Sequence, residues 1–119
     1  MSGQENNNKI IIAIDAMGGD FGPVEIIPAL DLVCHGRPDI FFLIFGDQTK
    51  INTYLSKCPV LKNCSEIRHT DKIVQNDEKP SAALRNSKGT SMRLAIEAVK
   101  SGEAAAVVSA GNTGALMAM

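Results

Sequence analysis

Residues 9–23, Lys-Ile-Ile-Ile-Ala-Ile-Asp-Ala-Met-Gly-Gly-Asp-Phe-Gly-Pro, constrain the fold most. The apolar run from Ile10 to Ile14 has no polar alternation, so it reads as a strand covered on both faces, as in a parallel sheet between helices. An acidic, glycine-rich turn follows at once. Gly18, Gly19 and Gly22 allow positive φ and a close backbone approach to a ligand. Pro23 suits the first turn of a helix, where its missing N–H costs nothing. A strand–loop–helix entry of this kind builds ligand sites in α/β proteins.

A chain of 119 residues predicts one domain with a real core. Hydrophobic residues make up 45% and charged residues 21%, which excludes a disordered chain. The formal net charge of −1 gives no reason to expect nucleic acid. Cys34, Cys58 and Cys64 form no Cys-x-x-Cys pair, and the odd count predicts a reducing, cytoplasmic setting. Each cysteine reads as a small buried hydrophobe rather than a nucleophile. No apolar stretch approaches the roughly 20 residues of a membrane span. Residues 1–8 are polar and read as a disordered tail, leaving 9–119 as α/β domain.

Further along, residues 24–35 carry Val24, Ile27, Leu30 and Cys34, with Ile26 and Val33, at helical spacing. Pro28 either kinks this helix or marks its first turn, and Gly36 and Pro38 stop it. Residues 40–45 form a second uninterrupted apolar strand. A helix over 48–57 follows, ended by Pro59. Residues 66–70 form a weak strand, placed near a sheet edge because Ile67 is its only strong apolar residue. A polar loop covers 71–80, and Ser81 is expected to cap a short helix to Asn86. Gly89 interrupts it. A second helix over 90–101 has an apolar stripe of Met92, Ala95, Ile96 and Val99, with Arg93 and Glu97 paired on the other face. Gly102 stops it. Residues 104–108 are expected to be a buried strand, and Ser109-Ala-Gly-Asn-Thr-Gly114 turns into a helix beginning near Thr113. The chain stops inside that apolar pattern, so it reads as part of a longer protein.

Strand–helix alternation predicts an α/β fold with a parallel sheet and right-handed crossovers. The loops that follow the strands then share one edge. If strand four returns beside strand one, the two glycine-rich loops face each other across a ligand crevice. The turn at 109–114 offers amides and hydroxyls at a helix N-terminus, which suits an anion. Lys79, Arg85 and Lys88 are candidate cations. The competing reading is that the glycines only make tight turns and the basic side chains are solvated; spacing alone does not decide. There is no Walker A motif and no Gly-x-Gly-x-x-Gly. Asp15 and Asp20 could each be a general base, a metal ligand or a cap, with the cap the default for each alone. His35 and His69 read as structural or exposed.

These residues carry a family resemblance. The segments Ile14-Asp-Ala-Met-Gly-Gly-Asp-Phe-Gly-Pro23 and Val108-Ser-Ala-Gly-Asn-Thr-Gly-Ala-Leu-Met117 resemble the PlsX-type phosphate acyltransferases of bacterial phospholipid synthesis. Lys79-Pro-Ser-Ala-Ala-Leu-Arg85 and Gly89-Thr-Ser-Met-Arg93 resemble the same family's middle segment. The similarity runs from about residue 9 to the end. Members are more than twice as long, so this chain resembles their N-terminal part. The resemblance implies a Rossmann-like, three-layer α/β/α fold with a mostly parallel sheet, of the isopropylmalate dehydrogenase/phosphotransacetylase type. It also implies acyl phosphate synthesis from acyl-[acyl carrier protein] and inorganic phosphate, with no cofactor and no metal. Acyl carrier protein is the implied partner and a homodimer the implied assembly. Peripheral membrane association and a glycerol-3-phosphate acyltransferase partner would act through regions outside these residues.

On that reading Asp15 and Asn112 are the candidate catalytic residues. Gly18, Gly19, Asp20, Arg85, Ser109, Gly111, Thr113 and Gly114 are the candidate phosphate- and substrate-binding residues. The aspartates would repel a bare dianion, so they are expected to orient donors or accept a proton. Two other classes stay open: a phosphotransacetylase-like enzyme acting on coenzyme A thioesters, and a non-enzymatic nucleotide- or phosphate-binding module.

Overall fold

The computed structural model describes residues 9–18, 22–73, 79–111, 116–117 and 119. The expected tail at 1–8 lies outside them, as do Gly19, Asp20, Asn112, Thr113 and Gly114. Four strands, β1 (Ile10–Asp15), β2 (Ile40–Gly46), β3 (Ser65–His69) and β4 (Ala106–Ser109), form one sheet in the order β3-β2-β1-β4. Every pairing is parallel. β1 is central, and β4 returns beside it with Asp15 opposite Ser109, so the expected switch point is present.

Side chains alternate across the sheet, so each strand feeds two cores. On one face Ile14, Phe42 and Ile44 pack with Ile27, Leu30 and Cys34 of α1 (Pro23–Gly36). Ile51 and Leu55 of α2 (Gln48–Leu55) and Leu61 of α3 (Pro59–Asn63) complete that layer. On the other face Ala13, Leu43 and Phe45 pack with Ala95 and Ala98 of α5 (Ser91–Lys100). A smaller cluster joins Ala83 of α4 (Pro80–Arg85) to Met92 and Ile96 of α5. The result is helix–sheet–helix layering.

Local chemistry explains the boundaries. Gly22 caps α1 with φ 59°, a backbone region that side-chain-bearing residues rarely adopt, and Pro23 fills N1. α1 runs through the exposed Pro28, so that residue is neither its start nor its end. Val24 also points outward. Asp47 caps α2, accepting from the Thr49 amide. Arg93 pairs with Glu97 at 3.2 Å as the spacing predicts, and the helix ends before Gly102.

Several expectations need correction. Pro59 does not merely end a helix. It opens the short α3, because proline is as good at a first turn as it is bad in an interior. Ser81 does not cap α4; Pro80 is at N1 and Lys79 is the cap position, with no side-chain hydrogen bond. β4 is not buried throughout. Ala106 and Val108 are exposed, because β4 is an edge strand with one described neighbour. β3 is the other edge, as its weak pattern predicts.

The three cysteines are free. Cys34 is buried in the α1 layer. Burial, with Cys64 beside it, pushes its thiol up to about 12, so it is a packing residue and a poor nucleophile at neutral pH. No described helix is long and apolar enough to cross a membrane.

Candidate active site at the β1–β4 switch point

Asp15 is the last residue of β1 and shares the sheet face of Ala13, the face that α5 covers. The crossover carries the chain back along the sheet, so α5 begins at the edge where β1 ends. That brings the helix start beside Asp15. The Asp15 side chain is buried, with 3% of its surface exposed, and a carboxyl group there needs donors. It has three. The Ser91 hydroxyl donates to Oδ1 at 2.6 Å, and the Met17 amide donates to the same oxygen at 3.1 Å. The Ser109 hydroxyl donates to Oδ2 at 2.8 Å.

Ser109 also accepts, taking the Gly111 amide at 3.0 Å on its hydroxyl oxygen. One carboxyl group therefore ties together the ends of β1 and β4 and the start of α5. The bond to Met17 is a local turn bond, and Asp15 caps no helix, because the N-cap of α1 is Gly22. The two serine bonds go beyond that turn, because their partners are far away in the chain.

The two glycine-rich loops touch through their backbones. A Cβ on Gly18 would lie 2.7 Å from the Gly111 nitrogen and 2.9 Å from Asp15 Oδ2. A Cβ on Gly111 would lie 3.2 Å from Gly18 Cα and 3.1 Å from Met92 Cε. Closeness of approach requires glycine at position 18 and leaves a side chain at position 111 little room.

The structure thus brings Asp15, Gly18, Ser109 and Gly111 together. Arg85 is exposed at the end of α4, and among the described residues no hydrogen bond joins it to the Asp15 network. Lys79 and Lys88 are exposed as well. Among the described residues no group of three or more His, Cys, Asp or Glu side chains is placed to hold a metal. His69 accepts from the Gln48 amide at 3.0 Å, and His35 lies 3.5 Å from Asp31; both roles are structural.

Sequence reasoning missed Ser91. It sits at N1 of α5, 1% exposed, its amide donating to the Lys72 carbonyl at 3.0 Å. The available signal was the Thr90-Ser91 pair opening a helix directed back toward the strand that ends in Asp15.

The family described as "Fatty acid synthesis protein" matches residues 10–119. A protein of Parvibaculum lavamentivorans named "Phosphate acyltransferase" is 57% identical over 111 residues, covering 92% of this chain and 31% of that protein. Proteins of the same name from Rhodopseudomonas palustris (strain BisB5) and Afipia carboxidovorans are 55% and 52% identical over 112 residues. Each of those matches covers 93% of this chain and 32% of the relative. The chain therefore spans about a third of the length of these relatives. With the motif-bearing loops at the switch point inside the matched region, the chain belongs to the family of fatty acid synthesis proteins whose relatives here are named phosphate acyltransferases.

Proposed function

We propose that the protein carrying this segment is an acyltransferase that makes acyl phosphate from acyl-[acyl carrier protein] and inorganic phosphate for phospholipid synthesis. The observation that carries the reading is the contact of the Gly18 and Gly111 loops at the switch point, in a chain this close to proteins named phosphate acyltransferase. A phosphate oxygen attacks the thioester carbonyl; the C–O bond forms, the C–S bond breaks, and the leaving sulfur takes a proton. Such a reaction needs a dianion held beside a carbonyl more than it needs a covalent nucleophile.

Within this proposal Asp15 does not touch phosphate, because a carboxylate repels a dianion; its oxygens instead accept from Ser91, Ser109 and Met17. It orients the turn after β4. The Gly111 amide is already engaged by Ser109, so the phosphate donors come from later in the turn, with Asn112, Thr113 and Gly114 as candidates. Gly19 and Asp20 would line the opposite wall. Arg85 is the candidate guanidinium for bidentate phosphate contact. Acyl carrier protein is the proposed partner, and a homodimer, at the cytoplasmic side of the membrane, the proposed assembly.

The test is a chimera in which this segment replaces the matching third of the Parvibaculum enzyme. Acyl phosphate formation is followed by hydroxylamine trapping. The chimera is expected to turn over acyl-[acyl carrier protein] with phosphate, and the 119-residue chain alone is not. Preference for the coenzyme A thioester would support the phosphotransacetylase-like reading instead. Saturable nucleotide affinity without acyl transfer would support a binding module. Arg85→Ala is expected to raise the phosphate KM by about 10- to 100-fold, as loss of a charge-assisted hydrogen bond would. An unchanged KM would remove Arg85 from the site.

A further inference from the structure

We propose that Ser91 is a positioning residue for acyl transfer, acting through Asp15 on the turn that follows β4; this rests on the function proposed above. Ser91 has no capping duty to absorb its hydroxyl. Thr90 occupies the N-cap of α5 and accepts the Arg93 amide itself, at 3.2 Å. The backbone around Ser91 is fixed from several directions. Its own amide is held by the Lys72 carbonyl at 3.0 Å, and the Thr90 hydroxyl donates to the Ser87 carbonyl at 2.7 Å. The Ser91 hydroxyl is therefore delivered to Asp15 by a pre-set helix start, and its 2.6 Å contact is the ordinary length of a hydroxyl bond to a carboxylate.

The consequence runs through the carboxyl group. Oδ1 takes Ser91, and Oδ2 takes Ser109. With both held, the plane of the carboxyl group is set. The Ser109 proton then points at Asp15, which leaves its oxygen lone pairs facing the Gly111 amide. Without the Ser91 hydroxyl, the Met17 amide at 3.1 Å is the one donor left to Oδ1 among the described residues. The carboxyl group can rotate, and the Ser109–Gly111 turn loses its fixed direction. That turn lies against Gly18 with no slack, so a small rotation moves the whole edge.

The experiment uses the chimera, with kcat and both KM values measured at a temperature where every variant is folded. Ser91→Ala is expected to lower kcat by about 10- to 100-fold while the KM for acyl carrier protein stays within about twofold. Ser91→Thr keeps the hydroxyl and should restore kcat to within about threefold of the parent, and Ser91→Cys, close in volume but a weak donor, should not. In an Asp15→Ala background, where the carboxyl group is gone, the effect of Ser91→Ala should shrink to less than about threefold, because the two residues act as one unit. Ile27→Val, a core change in α1 on the other face of the sheet, controls for lost stability and should leave kcat unchanged. If Ser91→Ala does not fold, the cysteine variant carries the test. A Ser91→Ala or Ser91→Cys enzyme with normal kcat, or effects of Ser91 and Asp15 that simply multiply, would overturn the inference. A folded chimera that makes no acyl phosphate while the Parvibaculum parent does would overturn the functional reading, and the inference with it.

Discussion

Gly18→Ala is expected to force the two loops apart, lowering stability by about 1–3 kcal/mol, in the range of overpacking, and turnover of the chimera by about 100-fold or more. The new methyl group would lie 2.7 Å from the Gly111 nitrogen, 2.9 Å from Gly111 Cα and 2.9 Å from Asp15 Oδ2. Two of these are backbone atoms, and the third belongs to a carboxyl group held by three donors. None is the free end of a flexible side chain, so the backbone itself must move. Gly46→Ala makes a useful contrast. Its methyl would meet Met17 Cγ at 2.8 Å, Met17 Sδ at 2.9 Å and Ile51 Cδ1 at 3.1 Å, so there side chains, and not another loop's backbone, must shift. At Gly36 nothing lies within 4 Å, and its φ is not positive. Gly36→Ala should therefore stabilise, by about 0.4–1 kcal/mol, through the unfolded chain. Chemical denaturation and turnover of the three variants check the order. Equal effects at positions 18 and 36 would show that loop contact is unimportant.

Asp15→Ala should have an effect of similar size by a different route. It leaves the hydroxyls of Ser91 and Ser109 and the amide of Met17 without their acceptor. Ser91 is inaccessible to replacement water at 1% exposure. Orphaned buried polar groups cost about 1–3 kcal/mol each, and partial relaxation brings the expected total to about 2–4 kcal/mol. Turnover should fall by about 1,000-fold, because the post-β4 turn loses its anchor as well as its direction. Asp15→Asn separates two accounts of this residue. An amide can still accept from one serine and donate to the other, whose hydroxyl can rotate to receive it. An orienting Asp15 therefore predicts that Asn retains at least about tenfold more turnover than Ala. A general base predicts that both are equally dead. Urea titration gives the stability terms, and hydroxylamine trapping gives the rates.

The scaffold of this site was legible in the sequence because it depends on local patterns. The uninterrupted apolar runs at 10–14 and 40–45 announced doubly covered strands, and both faces of β1 and β2 are indeed packed. The weak run around Ile67 announced an edge. Glycine-rich turns after β1 and β4 announced the meeting of Gly18 and Gly111. What stayed hidden depends on long-range or ambiguous signals. Ser91 meets a partner 76 residues away, and its own neighbourhood shows only an amphipathic helix. Pro59 can end one helix or begin another, and the chain does both within five residues, α2 closing at Leu55 and α3 opening at Pro59. The exposure of Val108 follows from where β4 sits in the sheet, and its apolar sequence could not show that.

The most direct test of the account is the position of phosphate in crystals of the active chimera. The account predicts phosphate within hydrogen-bonding distance of amides in the 109–114 turn, beyond the Ser109–Gly111 bond, with the Gly18 loop as the opposite wall and no contact to Asp15. Phosphate bound elsewhere in a turning-over enzyme, with the 109–114 turn empty, would contradict it.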